Sequence, residues 1–393
     1  MNIMPETKTS IFARARNWYA RFERPFSSFS LIGGFIFDAV TLRRIDVFLD
    51  NIWVVGHLAI VTICAVWINL LDNTASPDGK KPEADPHRLH FWLVNVMQFF
   101  FGGILSTYLV FYFRSGTLAT SWPFLLILAL AFIANESLKR RYARLSFQVA
   151  LLFLSFYSFA IYLMPILFHK IGTEIFLISG VVSLAAISII INILARFSRE
   201  RFAGWSGWAV FFSVVVVAAI VNGLYFSNLI PPLPLSLKDA DVYHSIIANG
   251  PGNYTVIDEY QNGGGPLASV GFLARFFALN QTVHIVAGDP LYAYTAVFSP
   301  TALNTDVVHE WQYYDEASKA WVTQSRIPLS VAGGRDGGYR TFSEKSAITA
   351  GSWRVNVETP SGQVIGRLNF DVIVQNTEPA LTTKMIAGTA AQS

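Results

Sequence analysis

The sequence predicts a polytopic α-helical membrane bundle of about seven spans followed by an all-β soluble domain, an antiparallel sandwich of immunoglobulin-like kind. Three observations lead there. Hydrophobic residues make up 53% of the 393 residues and charged ones only 14%, at a mean hydropathy of +0.42, which is too apolar for a soluble protein of this length. The first 230 residues contain a series of long apolar stretches. Beyond Ile230 the hydrophobic pattern changes from helical to alternating.

Charge divides at the same point. Residues 1–230 carry 19 Lys/Arg against 12 Asp/Glu, and residues 231–393 carry 10 against 14, giving +7 on the apolar part and −4 on the rest. The soluble part therefore has no basic excess for nucleic acid, and the positive charge belongs to membrane topology. Cys64 is the only cysteine and lies in an apolar run, so an intrachain disulfide or a cysteine-based zinc site is excluded.

Residues 1–24 read as a basic cytoplasmic tail, with Lys8, Arg14, Arg16, Arg21 and Arg24 and no cleavable leader. Residues 25–229 read as the bundle. A bilayer core of about 30 Å needs about 20 apolar residues in helix, and the stretches 52–71, 91–113, 117–135, 146–168, 173–195 and 207–229 meet that requirement. A weaker seventh candidate runs from Pro25 to Leu42. Counting it places 15 basic residues on the cytoplasmic side against Arg43, Arg44, Arg114 and Lys170 outside. Without it the bias disappears, so seven spans are expected, with the N-terminus in the cytoplasm and the β domain outside, in the periplasm of a bacterial inner membrane.

Polar residues inside the spans are few: Asp38, His57, Asn69, Asn95, Gln98 and Asn222. Asp38 and His57 are the intramembrane polar candidates, and the plain expectation for both is a bond to a neighbouring helix or a place near the interface. Asp85, His87 and His90 make a weak metal candidate in a cytoplasmic loop, since two imidazoles and a carboxylate close in sequence can converge on one ion, but a solvated loop explains them as well.

Residues 230–236 (Ile-Pro-Pro-Leu-Pro-Leu-Ser) read as a short stiff stem, residues 237–375 as the β domain, and residues 376–393 as a disordered tail. His309, Trp311 and Tyr313 alternate with Glu310, Gln312 and Tyr314. Ile327, Leu329 and Val331 line one face, Trp353, Val355 and Val357 alternate with Arg354, Asn356 and Glu358, and Leu368, Phe370, Val372 and Val374 make another apolar face. Turns are expected at Gly333–Gly338 and at Pro360–Gly362, and a long loop at Asn249–Pro266.

The sequence contains no Gly-x-Ser-x-Gly elbow, no His-Glu-x-x-His and no phosphate-binding Gly-Lys-Ser/Thr loop, so a binding protein is expected before an enzyme and no cofactor is called for. The candidate ligand set is His309, Trp311, Arg340, Ser343, Lys345 and Trp353: an aromatic plane beside a guanidinium and an imidazole can stack on a sugar ring and bond its polar edge. The competing expectation is that both tryptophans fill the core while His309 and Arg340 satisfy buried polar groups.

The run Tyr225-Phe226 to Ile230-Pro231-Pro232-Leu233-Pro234-Leu235, with Val242-Tyr243-His244, His309-Glu310-Trp311, Tyr339-Arg340-Thr341-Phe342-Ser343-Glu344-Lys345 and Gly351-Ser352-Trp353-Arg354-Val355, resembles the bacterial "domain of unknown function 2914" family of membrane proteins. Gly33-Gly34-Phe35, Thr41-Leu42-Arg43-Arg44 and Ser121-Trp122-Pro123-Phe124 are similar to it as well. The resemblance implies a bundle with an extracytoplasmic β domain and brings no activity or residue roles. The partners expected are the lipid bilayer and an envelope protein or glycan. The rival readings are a membrane-embedded enzyme or transporter using Asp38, His57 and the Asp85/His87/His90 group, and a structural scaffold.

Overall fold

The structure is a computed structural model and describes residues 33–42, 47–74, 86–116, 118–137, 145–197, 202, 204–250, 252–259, 281–301 and 303–386. The basic tail, residues 25–32 of the weak span, Asp85 and the side chain of His87 lie outside the described residues.

A helical half precedes a β half. The helices are α1 (33–41), α2 (Phe48–Thr74), α3 (Pro86–Ser115), α4 (Leu118–Ser137), α5 (Leu145–Phe168), α6 (Thr173–Phe197) and α7 (Trp205–Phe226). Five of them, α2, α3, α5, α6 and α7, are long and apolar enough to cross a bilayer, and α4 contributes a shorter apolar stretch at Thr120–Asn135. The chain is built for a membrane.

The few polar residues of these helices tie them together. Asn69 Nδ2 donates to Gln148 Oε1 at 2.8 Å, joining α2 to α5. Gln98 and Asn135 exchange side-chain amide donors for each other's backbone carbonyls at 3.0 Å each, joining α3 to α4. Tyr108 and Tyr112 donate to the carbonyls of Ser155 and Ser158, joining α3 to α5. In an apolar surround each such bond spares a polar group from being left unpaired in hydrocarbon.

One end of the bundle carries the β half. Arg114, at the C-terminus of α3, donates to the carbonyls of Ala39 and Leu42 at the C-terminus of α1, so both helices end on the same side. Phe176 at the start of α6 stacks on Tyr225 at the end of α7, with centroids 3.6 Å apart. The Pro-rich segment is not a free-standing stem: residues 230–236 are buried, Ile230 and Leu233 belong to the core of the bundle, and Leu235 belongs to a core of the β half. In the other direction, Phe298 of the β half reaches the bundle core and Ile171 of the α5–α6 loop packs on the β core.

The strands are β1 (Ser236–Tyr243), β2 (Ser245–Ala248), β3 (Tyr254–Glu259), β4 (Gln281–Val286), β5 (Leu291–Phe298), β6 (Thr305–Asp315), β7 (Ala320–Val331), β8 (Tyr339–Lys345), β9 (Gly351–Glu358), β10 (Val364–Gln375) and β11 (Leu381–Ile386). They form a five-stranded sheet of order β4-β10-β9-β6-β7, a three-stranded sheet β1-β5-β8 and a second three-stranded sheet β11-β3-β2. Val242, Leu291 and Ala293 of the first small sheet meet Trp311, Trp353, Val355, Phe370 and Val372 of the large one across an apolar core.

Three expectations need correction. The domain is not wholly antiparallel, because β4 runs parallel to β10. Residues 381–386, expected in a disordered tail, form β11 and pair with β3 from Leu381↔Glu259 to Ile386↔Tyr254, an edge position that polar residues suit. The expected loop at 249–266 contains β3. Both predicted turns are present, with Gly334, Gly338 and Gly362 at positive φ.

Candidate functional site

Alternation on β6 sends Val307, His309, Trp311 and Tyr313 to one face of the five-stranded sheet and Glu310, Gln312 and Tyr314 to the other. Much of the predicted ligand set lies on the inner face. His309 and Trp311 are wholly buried and Trp353 nearly so. Ser343 Oγ accepts from Trp311 Nε1 at 2.9 Å and bonds His309 Nδ1 at 2.9 Å, while His309 Nε2 bonds Thr295 Oγ1 at 2.9 Å. Either tautomer of the imidazole satisfies both hydroxyls. Burial pushes His309 down to about 3, so the ring is neutral.

The rings of Trp311 and Trp353 therefore do not form an open stacking platform. Trp311 packs on Phe370 and Trp353 on Tyr313, and Trp353 Nε1 donates to the Thr349 carbonyl at 2.8 Å. The apolar face of each strand must be buried, and these rings are its largest members. His309, Trp311 and Ser343 come together as a buried polar tie between the two facing sheets. Arg340 stands apart and donates to the Gly252 carbonyl at 2.8 Å, and Lys345 is half-buried at the end of β8.

In the bundle, Asp38 is half-buried on α1, and His57 Nδ1 lies 2.8 Å from the Trp53 carbonyl between the Trp53 and Phe100 rings. His90 is half-buried on α3. No cluster of three metal-ligating groups occurs among the described residues.

The opposite face of the five-stranded sheet is where unspent polar chemistry collects. Register puts Arg367, Asn356, Glu310 and Arg326 in one row across β10, β9, β6 and β7, and Asn369, Arg354, Gln312 and Thr323 in the next. The hydrogen bonds within this grid have direction. Arg354 Nε donates to Gln312 Oε1 at 2.6 Å, Gln312 Nε2 to Thr323 Oγ1 at 3.1 Å, and Thr323 to Glu310 Oε1 at 2.9 Å. From the other side, Arg367 Nε donates to Asn356 Oδ1 at 2.7 Å, and Asn356 Nδ2 to Glu310 Oε2 at 3.0 Å. Both chains end on one carboxylate.

Arg326 bridges the two acids, reaching Glu310 Oε1 at 3.2 Å and Glu358 Oε1 at 2.5 Å. Burial alone would raise Glu310, but the donors Asn356, Thr323 and Arg326 together hold it below its ordinary value. Glu358 goes the other way: burial, reinforced by the Glu310 charge, pushes it up to about 7. Burial, with Arg367 as a like charge, pulls Arg354 down to about 10, and its guanidinium lies over the Trp321 ring at 4.3 Å.

The match to known families falls on this part of the chain: residues 304–372 match the family model described as "Protein of unknown function (DUF2914)". This segment is similar to the DUF2914 family. It runs from the approach to β6 into β10 and includes every residue of the two rows. No curated protein matches the chain. Among solved structures, the Pseudomonas fluorescens alkylpurine DNA glycosylase AlkC bound to DNA containing an abasic site analog aligns at 9% identity over 82% of this chain and 98% of that one, with a TM-score of 0.21. A likeness at that level carries no argument about fold or function.

Of the candidate ligand set, His309, Trp311 and Trp353 lie on the inner face of the five-stranded sheet, and Arg340, Ser343 and Lys345 lie on β8 of the facing sheet. Glu310, Gln312, Arg354 and Asn356 were visible as the polar partners in each alternation, but their convergence depends on register across four strands, which local pattern does not encode.

Proposed function

We propose that the chain is a membrane-anchored binding protein whose DUF2914-like domain holds a polar component of the cell envelope, a glycan, on the outer face of the five-stranded sheet. The observation that carries this reading is the two-row polar grid with Trp321 under Arg354. Planar carboxamides, carboxylates and guanidiniums held in fixed orientation suit adjacent hydroxyls, and an indole at the margin suits the apolar face of a sugar ring. A sheet face meant only for solvent does not need its polar groups bonded into directed chains.

The topology that goes with this reading has seven spans in a bacterial inner membrane, the N-terminus in the cytoplasm and the β domain in the periplasm. The excess of basic residues on one side favours it, and so does the joining of the α1 and α3 C-termini by Arg114. The two facing sheets are read as an immunoglobulin-like sandwich that departs from that pattern at the parallel β4–β10 pair.

The test is titration of the full-length protein, in uncharged detergent, with soluble peptidoglycan and lipopolysaccharide-core oligosaccharides. Saturable binding that weakens about tenfold or more in Trp321→Ala and Arg326→Gln is expected. Equal binding by wild type and both variants, or no binding of any envelope glycan, would sink the proposal.

A further inference from the structure

Within the polar grid the three arginines are not used alike. Arg326 spends both terminal nitrogens on carboxylates. Arg354 and Arg367 are each gripped only through Nε, by the Gln312 and Asn356 carboxamides, and their terminal Nη groups donate to nothing among the described residues. A guanidinium held by Nε keeps its opposite edge, with the Nη groups, available to an acceptor. Arg367 stands opposite Asn356 and Arg354 opposite Asn369, so the two are diagonal neighbours on β10 and β9 and face the same way.

Charge points in the same direction. Glu310 and Glu358 both bond Arg326, and although the charge of Glu310 reaches Arg354 and those of both acids reach Arg367, neither of these guanidiniums has a carboxylate bonded to it, so three cations face two acids within the grid. Folding two such guanidiniums side by side, half-buried, costs free energy that an anion would recover. Trp321 closes one flank of Arg354, and the two donor chains ending on Glu310 limit rotation of both side chains.

We propose that Arg354 and Arg367 form a binding site for a phosphate monoester. Two guanidiniums on adjacent strands offer more donors and more charge than the two oxygens and single charge of a carboxylate or a phosphodiester can use, whereas a phosphate monoester presents three non-bridging oxygens and as much as two negative charges. The inference rests on the proposed use of this face and names one chemical group of its ligand. A phosphorylated sugar or the headgroup of phosphatidic acid would both supply it.

The test is calorimetric titration of the full-length protein, in uncharged detergent, with inorganic phosphate, glucose 1-phosphate, short-chain phosphatidic acid, sodium acetate and glucose. Saturable binding of the phosphate compounds is expected, weakened about tenfold or more by Arg354→Gln or Arg367→Gln and unchanged by Arg335→Gln, an arginine outside the grid. Arg354→Lys and Arg367→Lys keep the charge and lose the fork, and intermediate weakening is expected from them; they also serve if a glutamine variant fails to fold. Tighter binding of glucose 1-phosphate assigns the site to a sugar phosphate, and tighter binding of phosphatidic acid assigns it to a lipid headgroup. Acetate binding as tightly as phosphate, absence of saturable phosphate binding, or equal binding by all the variants would overturn the proposal. Neutral envelope oligosaccharides that still bind when phosphate does not would defeat this inference alone; loss of both would defeat the function proposed above.

Discussion

Glu310 and Arg354 share no hydrogen bond, yet the carboxylate fixes the guanidinium: Arg354 donates to Gln312, Gln312 to Thr323, and Thr323 to Glu310. Arg367 is fixed by the same carboxylate through Asn356. Glu310→Gln replaces one acceptor oxygen by a donor, so one of the two chains then meets a donor where it needs an acceptor. Unfolding in denaturant is expected to show a loss of about 1–3 kcal/mol. A variant as stable as wild type would mean that the chains do not constrain the grid.

Glu358 gives the domain a pH dependence of definite sign. Its folded value of about 7 lies above its ordinary value of 4.5, so the folded state holds the proton more tightly than the unfolded one. The resulting stability is fully present below pH 4.5 and is lost as pH rises to about 7, with an amplitude on the order of 1–3 kcal/mol. Glu358→Gln is expected to flatten this slope, read as the thermal midpoint between pH 5 and 8. An unchanged slope would show that another group titrates there.

His309 has the opposite sign. Its folded value of about 3 lies below 6.5, because a buried imidazolium would have to share the core with Trp311 and two hydroxyls. Its stability is present above pH 6.5 and is lost as pH falls towards 3, on the order of 3–5 kcal/mol. His309→Gln is expected to lower stability at pH 7 and to reduce the acid slope. Retention of the full wild-type acid slope would assign that slope to other groups.

Gly333 sits in the predicted glycine turn for a steric reason. A Cβ there would lie 1.8 Å from the Pro300 carbonyl oxygen and 2.9 Å from that of Leu303, and both are backbone atoms. Gly333→Ala is expected to cost several kcal/mol, about 2–4, because the β5–β6 connection must move. Gly252→Ala, with only the Arg335 side chain near and φ at +77°, should cost less, about 1–2 kcal/mol. The reverse order would contradict the packing of the turn.

What could be read from the sequence divides along physical lines. Helices α2 to α7 were legible because lipid demands long apolar runs, and strands β6, β9 and β10 because one face of each is buried. The inner-face fate of Trp311 and Trp353 followed from the same alternation. The parallel pairing of β4 with β10 and the placement of β11 beside β3 depend on partners far away in the chain. So does the outer grid, where Arg354, Gln312, Thr323 and Glu310 acquire meaning only once β9, β6 and β7 are in register.

The weak first span is the element on which orientation turns, and Arg114 offers a way to test it. Its guanidinium bonds the last carbonyls of α1, where the helix dipole is negative, and so ties the α1 C-terminus to the end of α3 that faces the β domain. With α1 crossing, the β domain and the N-terminus lie on opposite sides of the membrane. Arg114→Met is expected to free α1: a cysteine placed at Val40 should react faster with a membrane-impermeant maleimide added to intact spheroplasts, while a reporter active only in the periplasm and fused after Ser393 stays active. Labelling at the wild-type rate would show that Arg114 does not hold the helix, and activity of a cytoplasm-only reporter after Ser393 would overturn the seven-span topology.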